Sequence, residues 1–538
     1  MSSTAETTEQ DILIGVDAGT SLVKCVAFSV RGEVLSTAST PNDYLSVGED
    51  CVEQDMHVTR DTVIATLARL VEQLGNDASL VKAVALTGQG DGMWLVDSAG
   101  EPVHNAWLWL DSRAASIASE LENHADYARL FELTGTAVNA SQTRSQMIWL
   151  DQYDPKLLDR AAISFHCKDY LYHVLTGERA TDPGEALFTF GDYVEGRYSD
   201  EVLRILGLSH RAALLPPIVD GLASAAPVLA SISAQTGLPP HTCINLAPVD
   251  VICSALGGGL YDQGSASAMT LLGTTGVHMR YCNDTREVRL PKDRTGYTIV
   301  FPGGGCAQLQ SNMSATMNID WLLSLISDAL GLVDQAPEDE TILERLDALV
   351  GGAPAGSALY QPYISTAGER GPFFNADARA GFTGLDQHSG LAELARSVYE
   401  GICFAARDCY DDLGELPAEI RVTGGGAKSA SLKQILASVM DRPVRSVERQ
   451  ESGAAGAAII AAVQHNYYDS IDSCVKQWVA PHMGAQVLPD TGDSRVYQDL
   501  FPIYKVHRTA LPPTWQQLAN LRQSAHARRV PAAAGEQS

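Results

Sequence analysis

Cationic residues are scarce in this chain of 538 residues: 38 Lys and Arg stand against 65 Asp and Glu, a net charge of −27. So acidic a field argues against nucleic acid and against an anionic membrane surface as partners. Long apolar runs are missing too; no stretch of 18 apolar residues occurs, and no membrane-spanning helix is expected. Met1–Gln10 is polar without an apolar h-region, so a cytoplasmic location is the expectation. The ten cysteines are scattered and form no C-x-x-C pair, several lying in apolar runs. That pattern argues against a zinc site and for free thiols in a reducing compartment. His166, His173, His241 and His278 lack metal-ligand spacing and read as structural. With 45% hydrophobic and 19% charged residues the chain is a soluble globular protein, and its length makes two large domains the default.

What is present begins with Ile12–Phe28. Ile12, Leu13, Ile14 and Val16 form one apolar strand and Leu22, Val23, Cys25, Val26 and Phe28 a second, with Asp17, Gly19, Thr20 and Ser21 between them. Gly19 admits an anion to the backbone, Thr20 and Ser21 offer donors to phosphate oxygens, and Asp17 is placed to hold a hydrated magnesium ion. An ordinary hairpin turn is the alternative. A third strand, Val34–Ser39, a helix capped by Asp55 and a strand Val81–Leu86 follow. The chain thus opens with antiparallel strands, unlike a dinucleotide-binding unit. Ser267–Met279 repeats the strand, Gly-Thr turn, strand pattern about 255 residues later, which implies two related α/β domains facing each other over a nucleotide. The boundary is placed at Gly257–Gly259, giving an N-terminal domain over 11–257 and a C-terminal domain over 258–510. Residues 511–538 are expected to form a short helix and a disordered tail.

Three further features carry chemistry. Val422–Leu432 runs from a strand through Gly424, Gly425 and Gly426 into a helix; such a turn offers free N–H groups and flat backbone for an adenine, or serves tight packing alone. It is not a Walker A loop, because Lys428 follows Ala427. Asp250, between Pro248-Val249 and the apolar run Val251–Leu256, is a candidate general base or a helix N-cap. Asp91 sits between Gly90 and Gly92 after a strand, and Asp111 with Arg113 is either a hydroxyl clamp or a surface pair.

The order of these pieces resembles the FGGY carbohydrate kinase family over residues 11 to 505. Matching stretches are Gly15–Ser21, Val52–Asp55, Gly88-Gln89, Trp109-x-Asp111-x-Arg113, Lys168–Leu171 with Leu175–Gly177, and Thr181-Asp182. Leu272–Thr275, Gly368–Arg370, Glu400-Gly401 and Gly424–Ser429 follow in the same order. The resemblance implies two actin-like, ribonuclease H-like ATPase domains around a central nucleotide cleft. It implies ATP and magnesium as cofactors, with Asp17 at the magnesium ion, Gly19 and Thr20 in one phosphate hairpin, and Gly273 and Thr274 in the other. It also gives Gly425, Gly426 and Ala427 to the adenosine, and makes Asp250 the base that takes the proton of the attacking hydroxyl. Gln89, Asp91, Asp111, Arg113 and Asp250 are the acceptor-binding positions.

Departures from the family pattern are Gly90-Asp91 after Gly-Gln, Gln146 in place of a lysine, and Met317-Asn318 in place of a small Gly-Gly pair before Trp321. Gly88–Gly92 with Trp107–Asp111 and His166–Asp169 is most similar to bacterial erythritol kinases. The expectation is therefore phosphorylation of a small polyol at a terminal hydroxyl, erythritol first, with a ketopentose or glycerol as the alternative acceptor. An actin- or chaperone-like ATPase acting on a protein partner is the rival of another class, and assembly into a homodimer stays open.

Overall fold

The computed structural model describes residues 8–48, 50–261, 268–332 and 339–529. The chain opens with β1 (Ile12–Ala18), β2 (Leu22–Ser29) and β3 (Val34–Pro41), followed by α1 (Met56–Leu74) and β4 (Val81–Gly88). Asp55 caps α1, its Oδ1 accepting from the His57 and Val58 N–H groups at 2.8 and 3.2 Å. β5 (Ala226–Pro227) and β6 (Cys243–Leu246) complete a sheet of order β5-β6-β4-β1-β2-β3. β1 runs antiparallel to β2 and parallel to β4, and its apolar run is buried because the strand is central.

The second sheet repeats this plan. β7 (Ala268–Leu272), β8 (Gly276–Cys282), β9 (Tyr297–Val300), β10 (Cys306–Asn312), β11 (Ile420–Thr423), β12 (Val444–Val447) and β13 (Met483–Val487) stand in the order β9-β10-β8-β7-β11-β12-β13. Again a first strand is antiparallel to its hairpin partner and parallel to a later strand, β11. The two sheets share this core arrangement, as the paired hairpins led one to expect of two related α/β domains and as the resemblance implied for a ribonuclease H-like fold.

Helices α2 (Asp250–Gly257), which follows β6, and α3 (Ser452–Gln464), which follows β12, cross between the two sheets. A Cβ on Gly456 would stand 1.8 Å from the Cys253 carbonyl oxygen, so this crossing closes only with glycine there. Their apolar residues join Phe188, Val249, Ile299 and Phe301 in one buried cluster that spans both halves. The site lies where the hairpin tips and the start of α2 converge.

Ser267, assigned above to a strand, lies outside the described residues, as do residues 530–538 of the tail. Pro512–Arg529 forms a helix. Among the described residues no helix is long and apolar enough to cross a membrane.

Candidate active site

Both hairpin tips are tied back by their carbonyls. In the first, Asn42 Nδ2 donates to the Gly19 carbonyl at 2.9 Å and Gln54 Nε2 to the Thr20 carbonyl at 3.0 Å. In the second, the Gly273 carbonyl accepts from the Thr316 N–H and hydroxyl at 2.9 and 2.8 Å, and the Thr274 carbonyl from the Ala315 N–H at 2.8 Å. Restraining the carbonyls leaves a turn whose exposed polarity suits an anion. The Thr20 hydroxyl departs from expectation: it donates to Gln89 Oε1 at 2.9 Å and accepts from Trp109 Nε1 at 2.8 Å, so it is already committed.

Asp17 closes β1 beside the start of α3. A Cβ on Gly453 would stand 2.2 Å from Asp17 Oδ2, so the helix start leaves room for the carboxylate and little else. Burial raises the Asp17 carboxyl to about 6, Lys24 lowering it and Glu451 adding to the rise. Lys24 Nζ pairs with Glu451 Oε2 at 3.1 Å. Glu451 is thus already paired, and Asp17 is the carboxylate here that could take a divalent cation.

Asp250 is the first residue of α2 rather than its cap; Val249 holds the cap position. Its Oδ1 accepts from the Val251 N–H at 2.6 Å. Burial pushes the Asp250 carboxyl well above the usual range, and Asp17, Glu185 and Asp91 add to the rise. Asp250 thus lies in the fields of the first hairpin and of the Gly90–Gly92 loop, and its raised basicity suits proton acceptance.

Asp91 has φ 52°, a left-handed conformation uncommon outside glycine. Its backbone N–H donates to Glu185 Oε1 at 3.2 Å, and its Oδ2 accepts from the Tyr297 hydroxyl at 3.1 Å. Oδ1 is buried and makes no hydrogen bond among the described residues. Burial raises this carboxyl, while Tyr297, His166, Arg144 and Arg370 lower it. Beneath the loop, Lys168 Nζ lies 2.7 Å from Asp169 Oδ1, 2.7 Å from Asp182 Oδ1 and 2.9 Å from Glu185 Oε2, all fully buried. His166 adds an Nδ1 contact of 3.2 Å to Asp169 and an Nε2 contact of 3.1 Å to the Thr143 hydroxyl, which itself donates to the Gly92 carbonyl. His166, Asp169 and Glu185 have metal-ligand atoms within 4.8 Å of one another. The Lys168 ammonium already neutralises that group, so its work is to hold the Asp91 loop.

On the far side of the cleft a cavity of about 600 Å³ is lined by Thr316, Ile319, Asp347, Tyr399, Gly425 and Gly426 among others. Gly424 has φ 89°, and a Cβ there would stand 2.6 Å from the Leu272 carbonyl oxygen, so the glycine turn lies flat on the second hairpin. A Cβ on Gly425 would meet no atom within 4 Å, which leaves open backbone surface beside this cavity.

Residues 12–257 match the N-terminal domain, and residues 268–465 the C-terminal domain, of the FGGY family of carbohydrate kinases. The chain belongs to the FGGY family of carbohydrate kinases. It is a phosphotransferase that uses ATP and takes an alcohol group as acceptor. It is 44% identical to an erythritol kinase of Brucella abortus over 511 residues, covering 95% of this chain and 98% of that one. It is 26% identical to a xylulose kinase of Bacillus subtilis over 92% of this chain and 96% of that one. A gluconate kinase of Lactobacillus acidophilus superposes with a TM-score of 0.85 at 23% identity, over 94% of this chain and 99% of that one, and has the same two-domain actin-like fold.

Against this kinase fold the sequence-derived positions divide. Asp17 and Asp91 both act on Asp250 in the first half, while Gly425 and Gly426 line the cavity in the second. Ser21 is exposed at its hairpin tip, and Ala427 packs toward the cluster under the glycine turn. Gln89 is buried, with Oε1 accepting from Thr20 and Nε2 donating to Gln54 at 2.7 Å, so it braces the hairpin. Asp111 accepts from the Val52 N–H and from Arg113, whose Nη2 reaches Glu53 at 2.8 Å. The Arg113 guanidinium also lies 3.7 Å from the centroid of the Trp107 ring. This is a closed bracket, and it offers no free clamp for hydroxyls. Of the three tryptophans near the loop, Trp94 and Trp107 are core and Trp109 is 43% exposed beside the hairpin.

Among the departures, Gln146 is buried and donates to the Leu108 carbonyl. Asn318 turns into the core to accept from the Tyr360 hydroxyl at 3.0 Å, so it does not intrude on the cavity. Sequence reasoning missed Glu185, Tyr297, Asn139 and Glu451. Glu185, three residues beyond the matched Asp182, carried a faint signal; Tyr297 carried none.

Proposed function

We propose that this kinase transfers the γ-phosphoryl group of ATP to a terminal hydroxyl of erythritol, with magnesium as the metal. The observation that carries the reading is the position of Asp250, half-buried at a helix start and sensing Asp17 of the first hairpin as well as Asp91. The 44% identity to an erythritol kinase favours a four-carbon polyol over the ketopentoses. The Asp250 carboxylate takes the proton of the attacking hydroxyl as the new bond to phosphorus forms and the bond to the ADP oxygen breaks. Asp91 accepts a further hydroxyl of the acceptor through Oδ1, which holds the reacting end toward Asp250. Magnesium, when held near Asp17, would supply charge neutralisation at the β and γ phosphates. Gly19 and Gly273 admit those phosphates to the backbone, and the Gly425-Gly426 surface takes the adenine.

A panel of erythritol, glycerol, xylulose and ribulose, read as acceptor-dependent ADP release, tests this. Erythritol is expected to have the highest kcat/KM, and a ketopentose at the top would refute the erythritol reading. Asp91→Ala is expected to raise the erythritol KM about tenfold while sparing the ATP KM, since one buried hydroxyl pairing is lost. Asp17→Ala is expected to raise the magnesium concentration needed for half-maximal rate and leave erythritol affinity intact. An unchanged magnesium response would remove Asp17 from the metal site.

A further inference from the structure

We propose that Tyr297 determines acceptor length: it fixes the Asp91 carboxylate and stands as the wall between the acceptor site and a second cavity. This rests on reading the Asp91 loop as the acceptor site.

The direction of the hydrogen bonds here is settled by the protein alone. Asn139 Oδ1 accepts from the Ser141 N–H at 3.0 Å, the Ser141 hydroxyl at 2.8 Å and the Gln142 N–H at 3.1 Å. The Asn139 amide nitrogen therefore faces outward and donates to Tyr297 Oη at 2.5 Å. With its oxygen receiving that donor, the Tyr297 phenol gives its own proton to Asp91 Oδ2 at 3.1 Å. One carboxylate oxygen is thus taken by the protein. The other, Oδ1, is buried without a partner among the described residues, and leaving it so is costly. An acceptor hydroxyl meets that need, and the chain Asn139 to Tyr297 to Asp91 dictates which oxygen it finds.

The same tyrosine lines a cavity of about 610 Å³ together with Asn139, Arg294, Arg370 and Phe374. Asp91 does not line it, so the phenol separates the carboxylate from this space. Phe188 packs edge-on against the Tyr297 ring with centroids 5.6 Å apart, which holds the ring across the opening. Arg370 is exposed and Phe374 is 64% exposed, so the space beyond is wet and lined by groups able to take further hydroxyls. Tyr297 comes from β9, in the second sheet, whereas Asp91 and Asn139 come from the first half of the chain. The length limit is accordingly built by both halves, and a site formed by the first half alone would lack it.

The test is a chain-length series of glycerol, erythritol, xylitol and sorbitol with ATP, run on the full-length enzyme. Tyr297→Phe keeps the wall and removes the donor. It is expected to raise the erythritol KM about tenfold, with the ranking of acceptors and the ATP KM unchanged. Tyr297→Ala joins the two spaces and is expected to raise the ratio of kcat/KM for xylitol over erythritol at least tenfold. An unchanged xylitol-to-erythritol ratio in Tyr297→Ala, or an unchanged erythritol KM in Tyr297→Phe, overturns the proposal. Asp91→Ala separates the two readings. If it raises the erythritol KM while Tyr297→Ala leaves the ratio unmoved, only the wall is refuted. If it leaves the erythritol KM unchanged, the acceptor site itself is misplaced.

Discussion

Asp250→Asn is expected to lower turnover by about 10²-fold or more while leaving ATP affinity and folding intact, the scale on which a positioned base acts. Asparagine keeps the size of the side chain and can still accept the Val251 N–H bond, so the start of α2 is preserved. What is lost is the capacity to take a proton from the attacking hydroxyl. Steady-state rates at saturating ATP and erythritol, with thermal unfolding as the control, check this. Near-normal turnover would place the base elsewhere. The wild-type pH profile carries the same information. Burial, together with Asp17, Glu185 and Asp91, raises the Asp250 carboxyl, and a base acts only when ionised. The acidic limb of kcat/KM is therefore expected above the ordinary carboxylate range, with activity falling as pH drops through it.

Lys168→Met is expected to destabilise the enzyme by about 3–5 kcal/mol, the cost of leaving buried charges without their partner. Three buried carboxylates share that ammonium, and the loss is a large part of the roughly 5–15 kcal/mol that holds a domain folded. The pH dependence gives a second readout. Although burial opposes it, pairing with Lys168 and His166 depresses the Asp169 carboxyl to about 2. Its stabilising effect is present above the unfolded carboxylate pKa and lost as pH falls through about 2. In the variant the same carboxyls, buried without the ammonium, are raised, so they oppose folding at neutral pH and are relieved as acid protonates them. The stability gap between wild type and Lys168→Met is therefore expected to be widest near neutral pH and to narrow on acidification. Denaturant unfolding across that range measures it, and a gap independent of pH would show that Lys168 acts by packing alone. Because the Asp91 N–H rests on Glu185, the variant should also lose acceptor affinity before it loses ATP affinity.

Much of the site was legible in local sequence because its chemistry is local. A hairpin is a few consecutive residues, and a turn that needs glycine says so in one word; Gly19 lies between β1 and β2, Gly273 between β7 and β8, and Gly424 directly after β11. Asp17 and Asp250 stood out as carboxylates beside apolar runs, but a helix cap explains Asp250 equally well from local sequence, and it was the family resemblance that pointed to the base. Gln89, Asp111 and Arg113 show the limit of such reading. Their residue types suit hydroxyl binding, but whether a polar group is free depends on distant neighbours, and here Gln54, Glu53 and the Val52 N–H consume them.

The sequence by itself determined the hairpin that recurs in each half, the candidate carboxylates and, through motifs in the family's order, the kinase family. The hairpins rest on hydrophobic periodicity and on short runs of residues whose conformation is set by their own chemistry, and the family rests on the order of its motifs along the chain. Only the tertiary structure decided which oxygen of Asp91 is free, because that is fixed by Tyr297, 206 residues away in sequence, and by Asn139 behind it. It alone decided that Asp169, Asp182 and Glu185 share one buried ammonium, that of Lys168. Hydrogen-bond direction and charge neutralisation are properties of groups brought together by packing, and no pattern along one strand or helix encodes them.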